Sequence, residues 1–354
     1  MTPGSSGRAG DGEEPDTPEL PGAAGRVQRE IERRPRVRRG LGFVRRHWLE
    51  TLAVLFLVGL IVAVGPSHLV EAYRRARWIW IVLMIPVALA IYLFRGIGWW
   101  VALRGAGVEI GLGRGVAIMF AGQTMIFMPA GDLARVALVE ESGGGGEEGT
   151  VAGTIAFQEL LFLALLGLGV LPRAFAVSGV ALLVLVMTAS HVGVFTLLLW
   201  RPAYDWAVAM VERFRLLRRF DRQLRELRPA FVAMFRWRTL LPLALCNVLA
   251  ALTTYGLFAL ALEAMGARSV GPINIAFAYG LAHLLSGLSF LPGGIGSMEV
   301  VLVAVLARMG VATPVAAATA VLFRVVNDGL MALVGLGVGW TLRRRSRARR
   351  VDRD

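Results

Sequence analysis

Hydrophobic positions in this chain fall in long unbroken blocks, with neither the two-residue alternation of strands nor the narrow stripes of soluble helices. The stretches TLAVLFLVGLIVAVG from Thr51 and GVALLVLVMTASHVGVFTLLLW from Gly179 carry no Asp, Glu, Lys or Arg. A bilayer core of about 30 Å takes about 20 such residues as a helix. The blocks predict full spans over about Trp48–Gly65, Trp78–Phe94 (extending toward Leu103), Thr150–Leu171, Ala174–Trp200, Thr239–Leu262 and Pro314–Leu342. Two further apolar stretches are interrupted. Val116–Met128 is too short to cross and stops at Pro129-Ala130-Gly131, and Asn274–Met309 breaks at Pro292-Gly293-Gly294. Laid over each other on Pro129 and Pro292, the segments from Ala117 and from Ala276 each lead into a span carrying Gly-Leu-Gly-Val, at Gly167 and Gly335. This is an internal repeat. The predicted fold is an all-α polytopic membrane protein with about six full transmembrane helices and two Pro/Gly-broken re-entrant hairpins. Each hairpin also reads as two short full spans, an alternative that leaves the parity of crossings unchanged.

The polar segments set domains and orientation. Residues 1–46 read as a disordered, basic tail, 47–342 as the membrane domain, and 343–354 as a second basic tail. Within the domain, residues 201–238 place Met210, Phe214, Leu217, Phe220, Leu224 and Leu227 three or four apart with arginines between, predicting an amphipathic helix on the inner leaflet. All 38 basic residues are arginine, and the net charge of +13 is concentrated in these three segments, which together carry +14 while the rest of the chain carries −1. The positive-inside rule puts them in the cytoplasm, with the protein in the plasma membrane. An even number of spans then precedes residue 201, so the first hairpin enters from inside and the second from outside. That makes the repeat inverted, and paired broken segments of this kind point to a transport site near the midplane.

Composition removes other classes. A mean hydropathy of +0.62 with 18% charged residues excludes a soluble enzyme, a disordered chain and a disulfide scaffold. Nucleic acid is not an expected partner, since the basic runs lack interleaved aromatics on a soluble fold. A single cysteine, Cys246, and four scattered histidines, His191 and His283 among them, give no metal-ligand spacing. The two named histidines and Gln123 read as helix–helix hydrogen bonders. No cofactor motif occurs, and Gly-x-x-x-x-Gly-Lys is absent.

Ionisable groups at membrane depth mark either a pathway or a pair. The candidates are Asp132, Arg135, Glu159, Glu299, Arg324 and Asp328, with Asn327 beside the last. New helix ends after Gly131 and Gly296 would offer N–H groups to a lipid phosphate, and Arg135 and Arg324 would add bidentate contacts. Gly131, Gly293, Gly294, Gly296 and Glu299 complete the candidate substrate site, with Asp132, Glu159 and Asp328 balancing charge. Bland alternatives stand beside these. Glu159 and Arg324 could neutralise one another, Asp132 could be a helix cap, Glu299 could close a capping arrangement near Ser297, and the glycines could only permit a tight turn.

The stretches FLPGGIGSMEVVLVAVL from Phe290, PAGDLARVALV from Pro129 and LFRVVNDGLMALVGLGVG from Leu322 together resemble the transmembrane, flippase-like domain of the lysylphosphatidylglycerol synthase family, across residues 48–342. That family's Pro-Gly-Gly-hydrophobic-Gly motif with a following Glu falls on Pro292, Gly293, Gly294, Gly296 and Glu299. Its Gly-acid-x-x-Arg falls on Gly131, Asp132 and Arg135, and its acidic residue in the next helix on Glu159. Two departures stand out: no soluble aminoacyl-transferase domain follows, and Glu159 sits in Phe157-Gln158-Glu159 where many relatives place Glu-Arg. The resemblance implies a stand-alone member related to proteins that translocate lipids or serve lipid-linked glycosylation, without naming the lipid; the residues point to a non-enzymatic protein moving an anionic or aminoacylated phospholipid, or a lipid-linked intermediate. The expected path is a polar cavity between the hairpins, with Arg135→Ala and Glu299→Ala silencing transport without loss of expression. The alternative is an accessory subunit, docking a lipid-modifying synthase through residues 201–238. Homo-oligomerisation is compatible with both.

Overall fold

The computed structural model describes Val62 and residues 65–125, 134–176, 179–213, 221–288 and 294–351. The first predicted span apart from Val62 and Gly65, the tail before it, and Gly131, Asp132 and Gly293 lie outside the described residues. Among the described residues the structure is helical apart from turns and one isolated bridge between Glu109 and Gly145. The helices are α1 (Pro66–Arg74), α2 (Trp78–Gly105), α3 (Leu112–Gly122), α4 (Ala134–Glu141), α5 (Glu148–Leu168), α6 (Leu171–Ala174), α7 (Val180–Leu199), α8 (Arg201–Glu212), α9 (Asp221–Ala233), α10 (Trp237–Ala264), α11 (Pro272–Leu288), α12 (Ser297–Arg308), α13 (Thr313–Arg324) and α14 (Met331–Val351).

Among the described residues, five helices are long and apolar enough to cross a membrane: α2, α5, α7, α10 and the composite of α13 and α14 over Thr313–Leu342. Each overlies a predicted span. The second span is longer than its clearest apolar run, because α2 continues through Arg95 to Gly105. The last contains six π-helical residues, Val325–Leu330, between α13 and α14, a widening of the helix found mostly at functional sites.

Small residues set how closely these helices approach. Hydrocarbon tails are as apolar as leucine, so packing and not water expulsion drives helix association in a membrane. The antiparallel pair α2 and α10 forms the main seam. A Cβ added at Gly98 would lie 3.1 Å from Cys246 Cβ, and one at Gly105 would lie 2.5 Å from Thr239 Cγ2. At the seam's other end the Arg77 amide donates to Ala264 O at 2.9 Å. Gly280 of α11 and Gly335 of α14 likewise bring their helices within van der Waals reach of the Leu166 and Phe120 carbonyls. Helix α7 is peripheral. None of its most apolar stretch is buried, against 44% of that of α5.

The broken segments are pairs of short helices, α3 with α4 and α11 with α12, whose arms pack on each other. At 1.5 Å per residue, the 12 residues of α12 and the 11 of α3 span about 16–18 Å, well short of the bilayer core.

Of residues 201–238, 214–220 lie outside the described residues; the described ones include two helices, α8 and α9, and α9 packs against the first turns of α5. The cause is again glycine: a Cβ at Gly149 would lie 2.3 Å from Gln223 O and one at Gly153 2.7 Å from Leu227 O. Phe231 and Met234, just beyond the predicted apolar stripe, are fully buried, with Phe231 4.9 Å from the Phe157 ring. Gly153→Val is therefore expected to force α9 off α5, at a cost of about 1–3 kcal/mol. A thermal-unfolding midpoint equal to wild type would remove this account of the contact.

Candidate functional site

Two buried ion-pair clusters stand at the centre of the bundle. In the first, Glu159 of α5 accepts hydrogen bonds from two arginines. Arg95 Nη2 lies 2.5 Å from each carboxylate oxygen, and Arg135 Nη2 lies 2.9 Å from Oε1. Arg135 is fully buried. Its guanidinium sits 5.3 Å from the Trp99 ring centroid, and its Nη1 reaches Met119 Sδ at 3.2 Å. Gly122 makes room for this side chain, since a Cβ there would be 2.8 Å from Arg135 Cγ. The Arg95 guanidinium lies 4.6 Å over Phe162, and the Arg95 carbonyl accepts from Gln158 Nε2 at 2.7 Å. Arg95 is thus fixed by an aromatic face and a carboxylate while still 13% exposed.

The second cluster has the opposite polarity. Arg324 of α13 donates through Nε to Glu299 Oε1 at 2.5 Å, through Nη1 to Asp328 Oδ2 at 2.5 Å, and through Nη2 to Gly294 O at 3.2 Å. Glu299 is 1% exposed, and its other oxygen accepts the Gly296 amide at 2.7 Å. The carboxylate therefore closes the start of α12 and anchors Arg324 together. Ser297 Oγ donates to Gly294 O at 3.0 Å. Gly294 and Gly296 adopt φ of 63° and 83°, a left-handed backbone that side chains resist. Asn327, on the π-helical turn, donates to Asp328 Oδ1 at 2.6 Å, and its carbonyl accepts from Tyr92 at 3.2 Å.

The two pairs correspond. Arg135 and Glu159 are 24 residues apart, Glu299 and Arg324 are 25 apart, and in each the first member follows a helix break. The suggested Glu159–Arg324 pairing is overturned. Each is held by partners from its own half of the chain, because each hairpin packs on the span that follows it.

Both clusters open onto one cavity of about 340 Å³. Its polar lining comes from Arg95, Glu159, His283, Ser286, Arg324 and Asp328, and its apolar walls include Tyr92, Phe162, Tyr279 and Phe323. His283 is stacked on Tyr279, with ring centroids 5.9 Å apart. His191 Nδ1 and Gln123 Nε2 instead bond carbonyls of their own segments, those of Met187 and Met119.

The described lining of this cavity comes from the second hairpin and from α2, α5, α10 and α13, while residues 126–133 of the first hairpin lie outside the described residues. Arg135 is bonded to Glu159, which lines the cavity. Of the predicted substrate-binding residues, Arg324 and Gly294 line the cavity, whereas Glu299 lies behind Arg324 and the Gly296 amide is taken by Glu299. The helix start after Gly296 is therefore already occupied by a carboxylate. Arg95 escaped notice because the second span was ended one residue before it. The signal was present as a lone arginine followed by the further apolar residues Ile97, Trp99 and Trp100. No grouping of three or more potential metal ligands occurs among the described residues.

A family described as the lysylphosphatidylglycerol synthase TM region matches residues 48–335. A UPF0104 membrane protein of Methanothermobacter thermautotrophicus is 22% identical over a 319-residue alignment covering 81% of this chain and 93% of the relative.

Proposed function

The chain belongs to the lysylphosphatidylglycerol synthase TM-region family, and from that premise we propose that it is a lipid translocase, moving an anionic or modified phospholipid between leaflets. The observation that carries this reading is the polar cavity. Arg95 and Arg324, on helices long and apolar enough to cross a membrane, face one space with four aromatic rings and His283. Charged side chains at that depth are costly and collect along substrate paths. A lipid phosphate is a bidentate acceptor matched to guanidinium. In the empty state Glu159 and Asp328 occupy those donors, and an arriving headgroup exchanges with them. Binding then replaces one set of charge-assisted bonds by another, so the site holds its ligand weakly enough to release it on the far side.

The hairpins enter this reading as opposed halves of an inverted repeat in the plasma membrane, with both termini cytoplasmic. Each positions one arginine–carboxylate pair against the following span. Energy comes from the lipid gradient, an ion or the membrane potential.

The test is leaflet exchange of fluorescent anionic, zwitterionic and aminoacylated phospholipids in liposomes holding the purified protein. Arg95→Gln serves as control, because it leaves Glu159 paired to Arg135 and the fold intact. The loss of charge-assisted bonds worth about 1.5–3 kcal/mol is expected to slow exchange of the preferred lipid about 10- to 100-fold. Equal rates for wild type and Arg95→Gln with every lipid would overturn the proposal.

A further inference from the structure

A second cavity, of about 360 Å³, runs between α5 and α7 and is nearly all apolar. Leu163, Ala164 and Gly167 form one wall, Val184, Met187 and Phe195 the other, and Leu284 of α11 closes it. Both walls belong to helices able to cross a membrane, and the peripheral position of α7 leaves the groove beside hydrocarbon. The groove also meets the polar cavity. Leu163 lines both spaces, and the consecutive residues His283 and Leu284 line one each. Along α5 the lining passes from Glu159 and Phe162, facing the polar space, to Ala164 and Gly167, facing the groove, in about two turns.

We propose that this groove binds one hydrocarbon chain of the phospholipid whose headgroup enters the polar cavity, with Leu163 as the threshold between them. A polar chamber and an apolar channel sharing one residue have the layout of an amphiphile. Moving a chain from bilayer to groove gains no hydrophobic free energy, since both are hydrocarbon. What the groove supplies is alignment. A chain laid along α5 brings its glycerol end to Leu163 and presents the phosphate to Arg95 and Arg324, so less orientational freedom is lost when the headgroup binds. The headgroup end of this proposal rests on the transport reading; the chain end rests on the groove alone.

The experiment uses phosphatidylglycerol with a diazirine midway along one chain, in liposomes with the full-length protein, photolysed and mapped by mass spectrometry. Adducts on the groove residues Ala164, Met187 and Phe195 are expected to exceed those on the outward residues Leu182 and Leu185 of the same α7 by about tenfold, the ratio set by about 1.4 kcal/mol. Gly167→Phe is expected to remove the groove adducts and spare the outward ones. There is space for the side chain's first carbon, since a Cβ at Gly167 meets Leu284 only at 3.7 Å. Thr188→Trp blocks the groove from the opposite wall. Equal labelling of groove and outward faces, or groove labelling untouched by both variants, overturns the chain site. Exchange measured on the same samples separates the two ideas. Groove-selective labelling without exchange of any lipid sinks the transport reading and still supports the chain site, whereas normal exchange with a filled, unlabelled groove sinks the groove's part in it.

Discussion

Alanine in place of Arg324 is expected to destabilise the protein by about 3–5 kcal/mol as well as to abolish transport. The guanidinium satisfies Glu299, Asp328 and the Gly294 carbonyl in one stroke, and both carboxylates are at least 95% buried on their side chains. Removing it leaves two like charges facing each other without a counterion. Restoring electroneutrality should recover the fold without the function. The triple variant Arg324→Met, Glu299→Gln, Asp328→Asn is expected to return close to the wild-type thermal midpoint while lipid exchange stays absent. The same argument revises what is expected of Arg135→Ala and Glu299→Ala. With Arg135 and Glu299 both inside paired clusters, each truncation lowers stability before it touches transport. Wild-type stability of Arg324→Ala, read by thermal unfolding in a single detergent, would mean that the cluster does not hold the second hairpin.

Exchanging Glu159 and Arg324 gives the second large effect. Were these residues partners, the double variant Glu159→Arg, Arg324→Glu would restore what each single change broke. The structure predicts the reverse. An arginine at 159 would join Arg95 and Arg135, and a glutamate at 324 would join Glu299 and Asp328, placing three like charges in each cluster. The double variant is therefore expected to fare worse than either single one, with little folded protein recovered from membranes. By contrast, a double-mutant cycle on Glu299→Gln and Arg324→Met should show a coupling of about 1–3 kcal/mol. Rescue by the exchange would refute the division into two self-paired halves.

Much of this architecture could be read from the sequence because the bilayer imposes a length on apolar runs. Four spans, those beginning at Trp78, Glu148, Trp237 and Thr313, start within two residues of where the composition places them. The span at Val180 starts six residues after Ala174, because Phe175 and Ala176 form a turn and Gly179 takes a left-handed φ of 82° before the helix begins. The second break was also legible, since Gly294 and Gly296 take left-handed φ values of 63° and 83° just before α12. Partner choice was not. Glu159 had several arginines within its half of the chain, and only the packing of α2, α4 and α5 shows that Arg95 and Arg135 reach it. The packing of α9 on α5 was not legible within residues 201–238, because the small residues that admit α9, Gly149 and Gly153, lie on another segment. The groove has no linear signature at all, being the gap between two helices that each look fit to face lipid.

The π-helical turn at Val325–Leu330 has one more consequence. A π turn is an α-helix with one residue to spare over the same rise, so the last span carries slack in its middle while both of its ends are packed. Slack of this kind can pass along a helix as a ruck passes along a carpet. The side chains it crosses shift by one position, and those beyond it stay where they were. Asp328 and Asn327 ride on the ruck and Arg324 stands at its edge. The arginine's grip on its aspartate is thus set by where the spare residue sits, and shortening the span by deleting Gly329 would iron it flat.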